Sequence, residues 1–138
     1  MRFNRPPGHP RKELAQREAE DIKDKLERIE RAVGGPYVPE EILRFFGSSF
    51  NPVGPEIISK LKELAIAGLR GDATNYRDYA ANPPNDAMPP MKAVEIGEKL
   101  EERADQLAAT EFDAPAFFKF LQETIRFRES LVEASRKK

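Results

Sequence analysis

Three observations predict an all-α fold. Apolar residues recur at spacings of three and four through each long segment, and nowhere do apolar and polar residues alternate as in a half-buried strand. Prolines and glycines gather between the periodic segments. About six helices follow, three of them long, in one small domain, because 138 residues at 39% hydrophobic content supply one core and not two. The long N-terminal helix is amphipathic and coiled-coil-like, so the expected assembly is an oligomeric bundle or ring.

That first helix sets the pattern. From Glu13 to Val33 the apolar residues Ala15, Ala19, Ile22, Leu26, Ile29 and Val33 step by four, three, four, three and four, one narrow stripe along a helix. With Ala19, Leu26 and Val33 at a and Ala15, Ile22 and Ile29 at d, the flanking positions place Glu18 opposite Lys23 and Lys25 opposite Glu30. Opposite signs favour parallel self-association, and Leu at a with Ile at d favours more than two strands. Glu13/Arg17, Asp21/Lys25, Asp24/Arg28 and Glu27/Arg31 add acid-first pairs one turn apart. Pro10 suits the first helical position, and Gly34-Gly35-Pro36 ends the helix.

A short helix is predicted from about Pro39 to Phe46, with Glu40 and Glu41 in its first turn and Gly47 as its stop. Ile42, Leu43, Phe45 and Phe46 make it a plug for a core or an interface. The next helix, about Pro55 to Arg70, carries Ile57, Ile58, Leu61, Leu64, Ala65, Gly68 and Leu69. The loop between the two is longer than the three or four residues of a DNA-reading helix-turn-helix, which argues against that motif. Gly71 is expected to end the helix, with Asp72 capping a further short turn around Tyr76 and Tyr79. Arg70-Gly71-Asp72 is thus read as a helix end and not as an adhesion tripeptide.

Four prolines within residues 82–90 predict a stiff linker or lid between two halves, 37–81 and 91–138. The helix from about Met91 to Ala109 has a stripe of Ala93, Gly97, Leu100, Ala104 and Leu107, thin enough for close approach. Glu98, Glu101, Glu102 and Asp105 are expected on its solvated face. The last helix starts after Asp113, an N-cap, with Pro115 in its first turn, and runs to about Ser135. Phe117, Phe120, Thr124, Phe127 and Leu131 form one stripe, and Phe118, Leu121, Ile125 and Val132 another. So wide an apolar face predicts that one stripe serves the fold and the other a neighbouring subunit.

Charge is uneven. Residues 1–10 form a basic arm, with three prolines and a glycine that exclude a helix. Arg2, Arg5, Arg11 and Lys12 give the start of the chain +4, and Arg136, Lys137 and Lys138 give its end +3. The body between holds 16 basic and 24 acidic residues, a net of −8. Basic ends on an acidic body call for nucleic acid or an acidic protein face. The chain has no cysteine and one histidine, His9, which removes disulfides, thiolate chemistry, histidine triads and multi-histidine metal sites. No phosphate-cradling glycine loop and no nucleophile elbow is present. A non-enzymatic protein is expected, with no metal and no cofactor. No apolar run reaches the length of a membrane span, and no secretory signal opens the chain, so a cytoplasmic, membrane-free protein is expected.

The string Arg5-Pro6-Pro7-Gly8-His9-Pro10-Arg11-Lys12 resembles Arg-Pro arms that lie in a DNA minor groove. In layout, a basic Arg-Pro opening, a short helical body and helices suited to oligomerisation, the chain resembles the small terminase subunits of tailed bacteriophages. The resemblance implies recognition of viral DNA and regulation of a larger packaging subunit, though a convincing helix-turn-helix is missing. The expected function is therefore a self-assembling adaptor, a homo-oligomer larger than a dimer. Its nucleic-acid-binding residues would be Arg2, Arg5, Arg11, Lys12, Arg136, Lys137 and Lys138. Its interface would use Ala19, Ile22, Leu26, Ile29 and Val33 with Phe117, Phe120, Phe127 and Leu131. The alternative is a structural or accessory subunit of a larger assembly that binds no nucleic acid.

Overall fold

The computed structural model describes residues 9–33, 35, 37–47, 54–84 and 88–136, with side chains described within 16–134. All regular structure among them is helical: α1 (His9–Arg31), α2 (Val38–Phe46), α3 (Pro55–Ala81), α4 (Pro90–Ala109) and α5 (Ala114–Arg136). Prolines open α2, α3 and α4 within their first two positions, where a missing N–H costs nothing. Asp113 caps α5, its Oδ1 accepting the Ala116 N–H at 2.9 Å, and the Gly47 N–H closes α2 on the Leu43 carbonyl.

Among the described residues the count is five helices and not six. Gly71 does not end a helix, and α3 runs through it unbroken to Ala81. Beyond Gly71 the helix buries Asp72 and Ala73 and half-buries Tyr76. Those contacts outweigh the roughly 1 kcal/mol that a glycine costs inside a helix. Asp72 is accordingly no cap; its side chain turns into the protein.

Helices α3 and α4 form an antiparallel hairpin. Lys62 donates to the Thr110 carbonyl at one end, and the Tyr79 hydroxyl engages Met88 at the other. Between these ends Arg70 reaches both Glu101 (2.7 Å) and Asp105 (3.1 Å), and Arg77 reaches Glu101 (3.3 Å). Part of the α4 acidic face predicted to be solvated is therefore an ion-pair seam with α3. The small-residue stripe allows the close approach: a Cβ added at Gly97 would stand 3.2 Å from the Ala73 carbonyl oxygen.

The proline-rich 82–90 segment thus joins two packed helices, and one core draws on both sides of it. That core includes Ile29 of α1, Val38 and Ile42 of α2, Leu61 and Leu69 of α3, Leu100 and Leu107 of α4, and Phe117 and Leu121 of α5, all buried. The short helix α2 is a core plug between α3 and α5, as its composition requires. Its seat on α3 is Gly68, where an added Cβ would lie 2.8 Å from the Val38 Cβ and 2.9 Å from one of its methyls. Gly68→Ala should destabilise the fold by about 1–2 kcal/mol, because β-branched Val38 cannot swing aside and overpacking outweighs the gain in helix propensity. Urea melts test this: the loss should shrink in a Val38→Gly background, which removes the Cβ and both methyls, and additive losses would rule out the clash.

Candidate functional site

The second half of α3, the middle of α4, the second half of α5 and the start of α2 enclose an open cleft of about 720 Å³. Its apolar floor includes Ile96, Leu100 and Ile125, and Tyr76 and Tyr79 stand beside it. The Tyr79 hydroxyl accepts the Met88 N–H and donates to the Met88 carbonyl, both at 3.0 Å, which fixes that ring against the α3–α4 connection.

At the base lies an ion pair between α3 and α5, joining residues 56 positions apart in sequence. Arg128 Nε donates to Asp72 Oδ2 at 3.2 Å, and each side chain is only 11% exposed. Burial pushes the Asp72 carboxyl above its ordinary pKa, while the Arg128 charge and hydrogen bond pull it back. Burial also raises the Tyr76 phenol, and the neighbouring Asp72 charge adds to the shift. The pair cancels itself, but the rim does not. Glu40, Glu129 and Glu133 line the cleft, all exposed, and none has an ion-pair partner among the described residues. The result is an apolar, tyrosine-bearing cleft with a negative mouth, suited to holding an apolar group that carries positive charge.

A second, half-buried cation serves packing. The Arg103 guanidinium lies 3.9 Å from the Phe120 ring centre and 5.7 Å from that of Phe127. Its Nε donates to Thr124 Oγ1 at 3.0 Å, and Thr124 donates in turn to the Phe120 carbonyl at 2.8 Å. Desolvation lowers the Arg103 pKa, with nearby Glu123 opposing it.

The structure divides the predicted interface residues. Ile29, Phe117 and Leu131 are buried in the chain's own core, at 0%, 0% and 8% exposure. They pack in the core of this chain, where a covered side chain offers little apolar surface to another copy. Phe120 and Phe127 are half-buried beneath Arg103. Of the second stripe of α5, Leu121 is buried, Phe118 half-buried, and Ile125 and Val132 are half-buried where they line the open cleft. Three of the α1 positions differ: exposed Ala19 and half-buried Ile22 and Leu26 meet Ile57 of α3 along an open groove. Val33 is 38% exposed.

Of the flanking charges, Lys25 pairs with Asp21 at 2.8 Å and Glu30 with Lys60 at 3.5 Å, while Glu18 and Lys23 remain exposed. Among the predicted nucleic-acid-binding residues, Arg2, Arg5, Lys137 and Lys138 lie outside the described residues. Arg11 and Lys12 fall in α1 and Arg136 in α5, with side chains outside the description.

Sequence reasoning missed Asp72 and Arg128, yet a signal was there. Phe118, Leu121, Ile125, Arg128 and Val132 step by three, four, three and four, as do Ile58, Leu61, Ala65, Gly68 and Asp72. Each ion is thus a charge in register with an apolar stripe, which the fold must pair or expel. Among the described residues no group of three or more His, Cys, Asp or Glu side chains could hold a metal ion, and no helix is long and apolar enough to cross a membrane. Comparison of the chain with protein-family models, curated proteins and solved structures finds no match.

Proposed function

We propose that the chain is a non-enzymatic, self-assembling helical adaptor. Copies associate through the open groove of α1 at Ala19, Ile22 and Leu26, and their basic ends engage nucleic acid. The observation that carries the reading is the groove along α1: from 16 to 24 only Ile22 is even half-buried, and Ala19, Ile22 and Leu26 remain accessible. An amphipathic helix of 23 residues is about 35 Å long, yet among its described side chains only Ile29 is completely buried in the core. A second copy suits the open face because the face repeats on the same helix of every copy, with exposed Glu18 and Lys23 of opposite sign beside it. The uneven charge, +4 and +3 at the ends of a −8 body, supports nucleic acid as the partner of the termini. This arrangement also suits the small terminase role that the layout resembles, with a larger packaging subunit as second partner.

The test is the mass of the protein in solution. Light scattering after gel filtration should give more than two 15.7 kDa chains per particle. Ala19→Asp should lower that mass by placing a charge where copies meet, while Asp24→Ala on the outer face should not. Both positions are exposed, so neither change disturbs the fold. A monomeric wild type, or equal effects from the two variants, would reject the α1 seam. An oligomer that leaves duplex DNA unshifted would favour the accessory-subunit reading.

A further inference from the structure

We propose that the cleft beside Asp72 and Arg128 is a receptor for the proline-arginine N-terminal segment of a neighbouring copy. The inference rests on the self-assembly reading and names a second contact within it.

The chemistry of cleft and segment is complementary. Residues 1–8, MRFNRPPG, hold two arginines, one phenylalanine and the pair Pro6-Pro7, and no acid. Adjacent prolines favour an extended polyproline II conformation, which binds aromatic-lined grooves at small entropic cost because it is already formed. The cleft offers Tyr76 and Tyr79 beside an apolar floor, with the Tyr79 ring fixed by its two hydrogen bonds to Met88. Its rim offers Glu129, Glu133 and Glu40 to flanking arginines, while Arg128 is already neutralised by Asp72. Charge and apolar surface thus occur together on both sides.

Reach decides which copy supplies the segment. Leu26 lies by Ile57 and Glu30 pairs with Lys60, so α1 and α3 share a direction where they meet. The start of α1 therefore points away from the cleft, which flanks the far half of α3. At 1.5 Å per residue, His9 is about 26 Å from that meeting point along α1 and Tyr76 about 28 Å along α3, so even a right-angle crossing leaves roughly 38 Å between them. Pro7 stands two residues before His9 and can extend only about 7 Å beyond it. A chain cannot fill its own cleft, whereas a neighbour can. Such a contact is head-to-tail, joining different surfaces on the two copies, and it closes into rings or extends into filaments. Nucleic acid competes for the same arginines, so the cleft holds the arms when nucleic acid is absent.

The experiment uses a fluorescent peptide of residues 1–8 and the full-length Arg2→Glu/Arg5→Glu variant, whose own arms no longer compete for the clefts. Anisotropy should show saturable binding that weakens with salt. Binding should fall at least about tenfold in a variant that also carries Glu129→Lys and Glu133→Lys, both at exposed rim positions. It should fall similarly for a peptide with Pro6 and Pro7 changed to alanine. No saturable binding up to about 1 mM, or binding indifferent to the two rim glutamates, would overturn the proposal. Equal binding by the alanine peptide would also overturn it, leaving a general site for cations. Solution mass, with and without Ala19→Asp, reports separately on the α1 seam, so the two readings can fail independently.

Discussion

Arg128→Met should cost the fold about 3–5 kcal/mol near neutral pH, and distinctly less in acid. Truncating the guanidinium leaves the Asp72 carboxylate buried with no counter-charge, and the penalty is mainly that stranded charge. Methionine keeps much of the side-chain volume, so cavity formation contributes little. The pH dependence has a definite sign. Desolvation already holds the Asp72 pKa in the fold above its ordinary 3.8, with Arg128 restraining the rise. A carboxyl whose folded pKa is raised gives its full stability contribution below the unfolded pKa and loses it as pH climbs through the folded value. Without Arg128 the folded pKa climbs further, and the loss at neutral pH deepens. Below the ordinary aspartate range the carboxyl is neutral in folded and unfolded chains alike, and variant and wild type converge. Urea melts of both proteins from acid to neutral pH measure the difference. A gap that stays constant with pH would mean that Arg128 acts through packing and not through Asp72. The double change Asp72→Leu/Arg128→Met should recover most of the loss, since apolar replacement of a whole buried pair is often neutral.

The second large effect concerns nucleic acid. Replacing Arg2, Arg5, Arg11, Lys12, Arg136, Lys137 and Lys138 with glutamine should abolish most duplex-DNA binding while leaving the body intact. Each copy contributes seven such charges against a body of −8, so a single chain binds weakly at physiological salt. The proposed assembly would change the magnitude. Once one set of termini is engaged, those of neighbouring copies act at high effective concentration, for a gain of roughly 10² to 10⁴ without new contacts. Dissociating the proposed oligomer with Ala19→Asp should therefore weaken DNA binding by a factor in that range although no basic residue is lost. Titrations at two salt concentrations check both statements. Binding should fall steeply with salt, and sequence preference should be slight, since phosphate contacts carry no base information. If the glutamine variant binds as well as the wild type, recognition belongs to the helical body, and a DNA-reading role for α2 and α3 returns.

Most of the helices were legible because their signals are local. Pro39, Pro55 and Asp113 each mark a helix start through the geometry of one turn, and the stripes of α3, α4 and α5 repeat within their own segments. Gly71 misled because its helix-breaking tendency is local too, about 1 kcal/mol, while the packing that overrides it comes from α4 and α5. The width of the α5 apolar face was legible, but how much of it the chain itself covers was not. Phe117, Leu121 and Leu131 lie in the chain's own core, and Arg103 covers Phe120 and Phe127.

By itself, then, the sequence determined the helical class, most helix boundaries, the apolar stripe of α1 and the separation of basic ends from an acidic body. Each of these follows from residues within a turn or two of one another, or from composition alone. Only the tertiary structure decided which stripes are spent inside the chain and which stay open, and it alone joined Asp72 to Arg128 and set the three rim glutamates around two tyrosines. Those outcomes depend on contacts between residues dozens of positions apart. Burial and charge compensation there are settled by whichever helix packs opposite, and periodicity along a single helix cannot specify its neighbour.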